Sequence, residues 1–301
     1  MANFQRDNHS IKKDLDRIIG ASYDIDFFMP TSRQARFSRH FFKSSFITLA
    51  KKCHRLGFQL PDVTARTFWG GTLRGSLAAI SPVFLWGFFD GEELNLIKFL
   101  VNTLGPEDVF FDGGAHVGFY SLLAGAITKE VHAFEPTPST FKFLEKNVRD
   151  KKNISINQNA LWKEDGVAEF NDCGDEFSVF NTLVAPEVEA VKQFTVKTTT
   201  IDNYCSSNEI NPSFIKLDTE GAEYEFLLGA KNVLSNGPML SIEIRPWEGE
   251  KFEKIRSFLK GFDYSLVSLE KGEIVPFRGI PLGENYTNVI FMRDKHATSG
   301  R

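Results

Sequence analysis

Acidic residues close four apolar runs of this 301-residue chain: Asp112 after Val109, Phe110 and Phe111, Glu135 after VHAF, Asp218 after SFIKL, and Glu243, with Arg245, in MLSIEIR. Asp112 leads directly into Gly113 and Gly114, and then through Ala115, His116 and Val117 to Gly118. A buried strand, a tight glycine turn and a helix in that order let the backbone approach a bound nucleotide, with the helix's free N–H groups near by. The interval from Asp112 to Glu135 suits a carboxylate that accepts hydrogen bonds from ribose hydroxyls. Asp218, Glu220 and Glu223 form a second, denser acidic group at a strand end, where a crevice opens outside the carboxyl edge of a parallel sheet. Glu223 also suits the first turn of a helix, where its charge favours the N-terminus. Carboxylates of this kind suit Mg²⁺ or Ca²⁺, but no compact ligand pattern imposes an ion, and no metal site is predicted.

These strand ends meet only if the apolar runs lie side by side. The spacing predicts a first core strand at about Asp108–Asp112 and a helix from about Gly118 to Ile127. A second strand follows at Glu130–Phe134, then a helix after Pro136 and Pro138 with Phe141, Leu144 and Val148 buried. A third strand is expected at about Ile154–Ala160. The polar insertion Trp162–Val196 should hold short strands near Val167–Phe170 and Gln193–Val196, and its centre, NDCGDEFSVFNTLVAPEVEA, is read as part of the substrate mouth. Further on come a short helix from Ile201, strands at Ser213–Leu217 and Met239–Ile244, and helices near Ala222–Leu228 and Phe252–Leu259. Phe262–Leu269 and Thr287–Arg293 read as a final antiparallel edge pair. This alternation predicts an α/β fold, a mostly parallel sheet with helices on both faces.

Upstream, Ile11–Ile19 reads as a short helix and Pro30 closes the region after Phe27, Phe28 and Met29. Helical spacing resumes at about Ser38 and stops at Gly57. Pro61–Val83 is either an irregular cap or a short hairpin, and Glu92–Leu104 is a helix. The chain therefore divides into an N-terminal, mainly helical extension, 1–91, and a domain, 92–301. The tail Lys295–Arg301 is expected to be loosely ordered.

Composition narrows the class. Lys and Arg number 35 against 39 Asp and Glu, so nothing resembles a strongly basic nucleic-acid surface, and no nucleic-acid partner is predicted. The locally basic stretch Arg36–Leu56 is read as an amphipathic helix with a solvated basic face, with peripheral membrane contact or an acidic substrate as alternatives. Cys53, Cys173 and Cys205 are too scattered for a disulfide framework or a zinc signature. Neither a signal-peptide core nor a membrane-length apolar run is evident, which predicts a cytoplasmic protein without a transmembrane segment. Phe68, Trp69, Trp86, Phe88, Phe89 and Trp247 are aromatic candidates for stacking on an acceptor, the first five equally for an internal apolar interface. A homodimer is left open.

Six ordered blocks carry a resemblance: DGGAHVG (Asp112–Gly118), AFEP (Ala133–Pro136), NQNAL (Asn157–Leu161), TTTIDNY (Thr198–Tyr204), IKLDTEGAEYEFLLGA (Ile215–Ala230) and IEIRP (Ile242–Pro246). Together, over roughly Glu92 to Arg293, they resemble the FkbM family of S-adenosylmethionine-dependent methyltransferases. Where that family often has Val and Asn, this chain has Gly113 and His116. The resemblance implies a class I methyltransferase fold: a Rossmann-like three-layer sandwich on a seven-stranded, mostly parallel sheet of order 3-2-1-4-5-7-6, with strand 7 antiparallel. It implies S-adenosylmethionine as donor and S-adenosylhomocysteine as product. On residues alone a nicotinamide dehydrogenase is a close rival, but its GxGxxG turn cannot be laid on GGAHVG at the first and third positions. A non-catalytic binding module on the same fold is a third reading.

The resemblance also implies roles. Asp112, Gly113, Gly114, Ala115, His116 and Gly118 would form the cofactor turn, Glu135 with Pro136 would hold the ribose, and Asn159 with Ala160 would border the adenine. Asp218 would face the transferred methyl. Glu220 or Glu243 would accept the acceptor's proton, with Arg245 completing a mixed-charge site; His116 is a further base candidate, with a positioning role in the cofactor turn favoured over it. The expected reaction is O-methylation of a small-molecule or glycan acceptor.

Overall fold

The computed structural model describes residues 8–23, 33–56, 58–89, 91–172, 183, 192–279 and 286–293. Pro30, Cys173, most of the insertion's centre and the tail Lys295–Arg301 lie outside the described residues. The leading part comprises α1 (Asn8–Tyr23), α2 (Arg33–Arg55), β1 (Asp62–Arg66), β2 (Thr72–Ser76), α3 (Leu77–Trp86) and α4 (Glu92–Thr103). Next come β3 (Val109–Gly113), α5 (Phe119–Gly125), β4 (Glu130–Phe134), α6 (Pro138–Val148), β5 (Ile154–Asn157), β6 (Asn159–Leu161), β7 (Gly166–Asp172) and β8 (Lys192–Thr199). The chain continues through α7 (Ile201–Asn208), β9 (Phe214–Leu217), α8 (Glu223–Leu228), α9 (Lys231–Asn236) and β10 (Met239–Ile244). It closes with α10 (Gly249–Lys260), β11 (Tyr264–Glu270), β12 (Glu273–Pro276) and β13 (Thr287–Arg293).

The central sheet has eight strands in the order β12-β11-β13-β10-β9-β3-β4-β5, so the seven-stranded expectation is corrected. Five strands, β3, β4, β5, β9 and β10, are mutually parallel, and β13 runs antiparallel to β10. The extra edge strand arises where Lys271 and Gly272 both take positive φ, 54° and 85°, a two-residue turn that folds β12 back on β11. A second correction concerns the third predicted strand, Ile154–Ala160, which breaks at Gln158. Its first half, β5, pairs with β4; its second half, β6, leaves and joins β8 and β7 in a separate three-stranded sheet.

Strand alternation sorts the core into two layers. Phe110, Val131, Ala133 and Phe214 face the side covered by the leading part, α4 and α5. Phe111, Phe134, Ile215, Leu217 and Ile242 face the side covered by α7 to α10. Each such fully buried side chain contributes roughly 1.5–3 kcal/mol. Pro61–Val83 resolves as the β1–β2 hairpin followed by most of α3, whose N-terminus Ser76 caps by accepting from the Ala79 N–H at 3.3 Å. Ile11, Leu15, Trp69 and Leu73 belong to the same apolar cluster as Leu96 and Phe110, so the leading part packs directly on the sheet layer. Asn147 of α6 pins the hairpin, donating to the carbonyls of Arg74 and Val117 at 2.8 Å each and accepting from the Arg74 N–H at 2.9 Å.

Candidate active site

The turn after β3 is built by backbone geometry. Gly114 has φ +80°, and a Cβ there would lie 1.8 Å from the Asp218 carbonyl oxygen, so only glycine lets the ends of β3 and β9 meet. The Asp218 N–H donates to the Gly113 carbonyl at 3.0 Å across that contact. The N–H groups of Gly114 and Ala115 both donate to the Phe134 carbonyl at 3.1 and 2.9 Å, tying the turn to the end of β4. Glu135 completes the splint: its two carboxylate oxygens accept from the backbone N–H groups of His116 at 2.9 Å and Thr137 at 2.8 Å. Burial pushes the Glu135 pKa up to about 7 against the opposing pull of these N–H donors. Each of its oxygens retains acceptor capacity toward a hydroxyl.

The predicted cofactor residues separate into two groups. Gly114, Ala115, His116, Glu135, Pro136, Asn159, Ala160 and Asp218 line one cleft of 680 Å³. Asp112, Gly113 and Gly118 lie beneath it. Asp112 is fully buried, and its Oδ2 accepts from Ser121 Oγ at 2.6 Å. Burial raises its pKa, and Lys216 and Ser121 work against that rise. Gly118 heads α5 at φ +92°, where a Cβ would come within 2.6 Å of Leu144 Cδ1. His116 stands in the cleft wall, and desolvation there pulls its pKa down to about 4, so the imidazole is neutral at neutral pH.

The carboxyl ends of β9 and β10 supply the charged half of the cleft. Lys216 is in register with Asp112 on one side and Ser241 on the other. Its buried ammonium sits 3.0 Å from Asp218 Oδ2 and 4.8 Å from the Tyr120 ring centroid. Burial opposes its charge, but Asp218, Asp112 and Glu93 more than offset that and raise its pKa. Lys216 therefore holds a fixed positive charge under the site and does not snorkel to solvent. Arg245 pairs closely with Glu220 and lies 3.7 Å from Glu243. Burial, then the Asp218 charge, pushes Glu220 up to about 8. Burial and the neighbouring carboxylates of Asp218, Glu220 and Glu93 push Glu243 well above the ordinary carboxylate range. The carboxylates of Asp218, Glu220 and Glu243 can each bring an oxygen within 4.8 Å of the others.

Glu223 serves the backbone of this turn. Its Oε1 accepts from the Thr219 and Gly221 N–H groups at 3.0 and 3.2 Å and from Thr219 Oγ1 at 3.1 Å. Its Oε2 meets Lys251 Nζ of α10 at 2.6 Å. These bonds hold a segment in which Glu220 adopts φ +53° and Gly221 φ +103°. Glu220 is thereby fixed facing Arg245.

Among the ionisable residues of the cleft, sequence reasoning missed Glu93, Tyr120 and Tyr286. Glu93 accepts a close hydrogen bond from the Tyr120 hydroxyl and another from Asn288 Nδ2 at 3.2 Å. Burial raises the Tyr286 pKa, and the nearby Glu93, Glu243 and Asp218 raise it further. In the sequence Glu93 reads as an ordinary first-turn acid of α4, and its partner Asn288 is 195 residues away, so no local signal marks it. Among the aromatic candidates, Phe68, Trp69 and Phe88 are buried in the core, while Phe89 and the exposed Trp247 border the cleft.

A cleft of this size suits a nucleoside-bearing ligand. The glycine turn offers a close backbone cradle, Glu135 an acceptor for hydroxyls, and the surplus of carboxylates over Lys216 and Arg245 a counter-charge for a cation. These features fit S-adenosylmethionine, whose sulfonium and ammonium groups are positive. The fold is an α/β sandwich on a mostly parallel central sheet with this cleft at the carboxyl ends of its strands. A match to the Methyltransferase FkbM domain covers residues 112–266, and the chain belongs to that family of S-adenosylmethionine-dependent methyltransferases. Membership of that family favours S-adenosylmethionine over a nicotinamide cofactor.

Hexuronic acid methyltransferase AglP of Haloferax volcanii is 29% identical over 154 residues, 50% of this chain and 62% of that protein. A solved structure, methyltransferase FkbM from Methylobacillus flagellatus KT, is similar at TM-score 0.46 and 16% identity, over 86% of this chain and 60% of that one. An rRNA methylase from Streptococcus thermophilus is similar at TM-score 0.41 and 12% identity, over 66% and 93%. The chain spans less than two thirds of the length of AglP and of the Methylobacillus protein.

Proposed function

We propose that this chain transfers the methyl group of S-adenosylmethionine to a hydroxyl of a sugar, a glycan or a glycosylated or other small metabolite. One observation carries the reading: the glycine turn of β3 and the Asp218–Glu220–Glu243 group line the same cleft. A relative named for hexuronic acid supports a sugar acceptor. The near-balanced charge leaves nucleic acid out of the proposal.

In this reading the backbone at Gly114 and Ala115, with Glu135 and Asn159, binds the nucleoside end of the donor. The donor supplies an electrophilic methyl carbon on a positively charged sulfur. Asp218, paired with Lys216, faces that carbon and takes the proton that the acceptor hydroxyl loses as its oxygen attacks. Glu243, whose pKa burial raises, stands beside Arg245 where a neighbouring acceptor oxygen would lie. Arg245 keeps Glu220 beside the same group. His116, being neutral, positions rather than deprotonates. Residues 1–91 act as a cap that contributes Ala79 and Phe89 to the cleft wall, while 92–301 form the catalytic domain.

The test is a screen of sugar and glycan acceptors with isotopically labelled donor, with mass spectrometry locating the added methyl on oxygen. Asp218→Asn is expected to lower kcat by about a hundredfold or more while leaving S-adenosylhomocysteine affinity within about threefold. Label found on nitrogen, or undiminished turnover in Asp218→Asn, overturns the chemistry proposed here.

A further inference from the structure

Helix α2, with the turn that leaves it, stands apart from the rest of the surface. It reads RQARFSRHFFKSSFITLAKKCHR, with Arg33, Arg36, Arg39, Lys43, Lys51, Lys52 and Arg55 and no Asp or Glu. The whole chain carries a formal charge of −4, so a helix of +7 leaves −11 for everything else. Its described inner side is anchored: Ile47 is buried, Lys43 Nζ donates to the Phe84 carbonyl at 2.8 Å, and Phe46 meets the Phe84 ring of α3 at 6.2 Å. Among the described residues its outer side is not covered. Leu49 is 62% exposed and Leu56 78%, and Phe58 is 64% exposed just past the helix. Phe46 adds a further 42%. Four of the seven large exposed apolar side chains among the described residues thus fall within thirteen positions, Phe46 to Phe58.

Geometry fixes this cluster. Leu49, Lys52 and Leu56 follow i, i+3, i+7 spacing and share one stripe. The Cys53 carbonyl accepts from the Leu56 N–H at 2.9 Å and the Phe58 N–H at 3.2 Å, and the Phe58 carbonyl lies 2.8 Å from His54 Nδ1. Phe58 is therefore held against the last turn of the helix, beside the same apolar–basic surface.

We propose that the second half of α2, from Phe46 onward, forms with Leu56 and Phe58 a peripheral docking surface for an anionic lipid bilayer. Exposed Phe and Leu side chains beside lysines match the boundary of a bilayer, where apolar groups enter the acyl region and ammonium groups meet headgroups. A phosphate backbone offers no apolar medium for Leu49, Leu56 and Phe58, which sets nucleic acid second. A symmetric dimer through this face would set one acid-free basic helix against another. The acidic remainder of the molecule turns away from an anionic surface, so the charge asymmetry also orients the bound protein.

The test uses the full chain in co-sedimentation with vesicles of phosphatidylcholine alone and vesicles containing about 30% phosphatidylserine. The protein is expected to sediment with the anionic vesicles, weakly with the neutral ones, and less as salt rises. Lys51→Glu/Lys52→Glu is expected to lower the bound fraction by about tenfold or more, and Leu49→Ser/Phe58→Ser to a similar extent. These surface changes should leave the melting temperature and S-adenosylhomocysteine binding as in the parent. Absence of sedimentation with anionic vesicles, equal binding to neutral ones, or variants that bind like the parent overturns the proposal. So does binding of a labelled oligonucleotide in place of vesicles. A parent dimer that Leu49→Ser/Phe58→Ser converts to monomer by light scattering, with no vesicle binding, assigns the face to a second copy and overturns it as well.

Discussion

Gly114→Ala tests whether contact between the ends of β3 and β9 builds the donor seat. A Cβ at this position would stand 1.8 Å from the Asp218 carbonyl oxygen, against a practical limit of 3.0 Å, so that oxygen must retreat by the difference, about 1.2 Å. The obstacle is backbone, and no side-chain rotation relieves it. Three costs add: about 1–2 kcal/mol for alanine at φ +80°, about 1 kcal/mol for the stretched bond from the Asp218 N–H to the Gly113 carbonyl, and about 1–3 kcal/mol for the displaced packing. A loss of about 3–6 kcal/mol lowers the melting temperature of a chain this size by about 5–10 °C. Because Asp218 moves with its carbonyl, S-adenosylhomocysteine affinity should fall by about tenfold or more. Gly113→Ala is the matched control. Its obstacles are the flexible Leu217 Cδ2 at 3.0 Å and the Lys216 carbonyl oxygen at 3.2 Å, which need give by only a few tenths of an ångström, and its cost should stay at about 1–2 kcal/mol. Thermal unfolding and calorimetric titration read both effects. A Gly114→Ala protein that melts within a few degrees of its parent and binds the product equally well refutes the reasoning.

Two further outcomes follow from the site. His116 holds a pKa of about 4 in the folded chain against 6.5 for the free side chain, so the unfolded state gains a proton first as pH falls. Stability is thus lost between about pH 6.5 and pH 4, and His116→Asn should flatten that part of a urea-unfolding series; parallel curves for variant and parent count against it. Glu223→Ala strands the Thr219 and Gly221 N–H groups and one contact of Lys251, for a loss of about 2–4 kcal/mol, while Glu223→Gln should keep more than half of it. Equal loss in the two variants, measured by chemical denaturation, would show that acceptance of those N–H groups is not what Glu223 provides.

What the sequence disclosed tracks how local each determinant is. The alternation of Phe110 and Phe111, or of Ile215, Lys216 and Leu217, marks buried strands and assigns each side chain its layer. The blocks at Asp112–Gly118 and Ile215–Ala230 placed the two halves of the cleft because each half is a single turn. The same alternation put Lys216 on the Asp218 side, where the structure has the ion pair. Long-range geometry was not legible. Glu93 becomes part of the cleft only because α4 lies over β13, and nothing near Glu93 reports that. The break at Gln158 is hidden because apolar residues continue past it, while the partner strand changes from β4 to β8. The edge strand β12 was missed because Lys271 and Gly272 turn the chain without the usual Asn-Gly or Asp-Gly signal.

The departure of β6 from the central sheet separates two jobs within one wall. Asn159 and Ala160 border the cleft, yet their ladder belongs to β8 and not to β4, and Phe170 of β7 and Leu183, both from the chain between β6 and β8, line the same cleft. The glycine turn and this panel, which in the proposed reading meets the nucleoside end of the donor through Asn159, thus have separate hydrogen-bonded foundations. A shift of the β6–β8 ladder can therefore reshape the wall at Asn159 while the meeting of β3 and β9 at Gly114 stays intact.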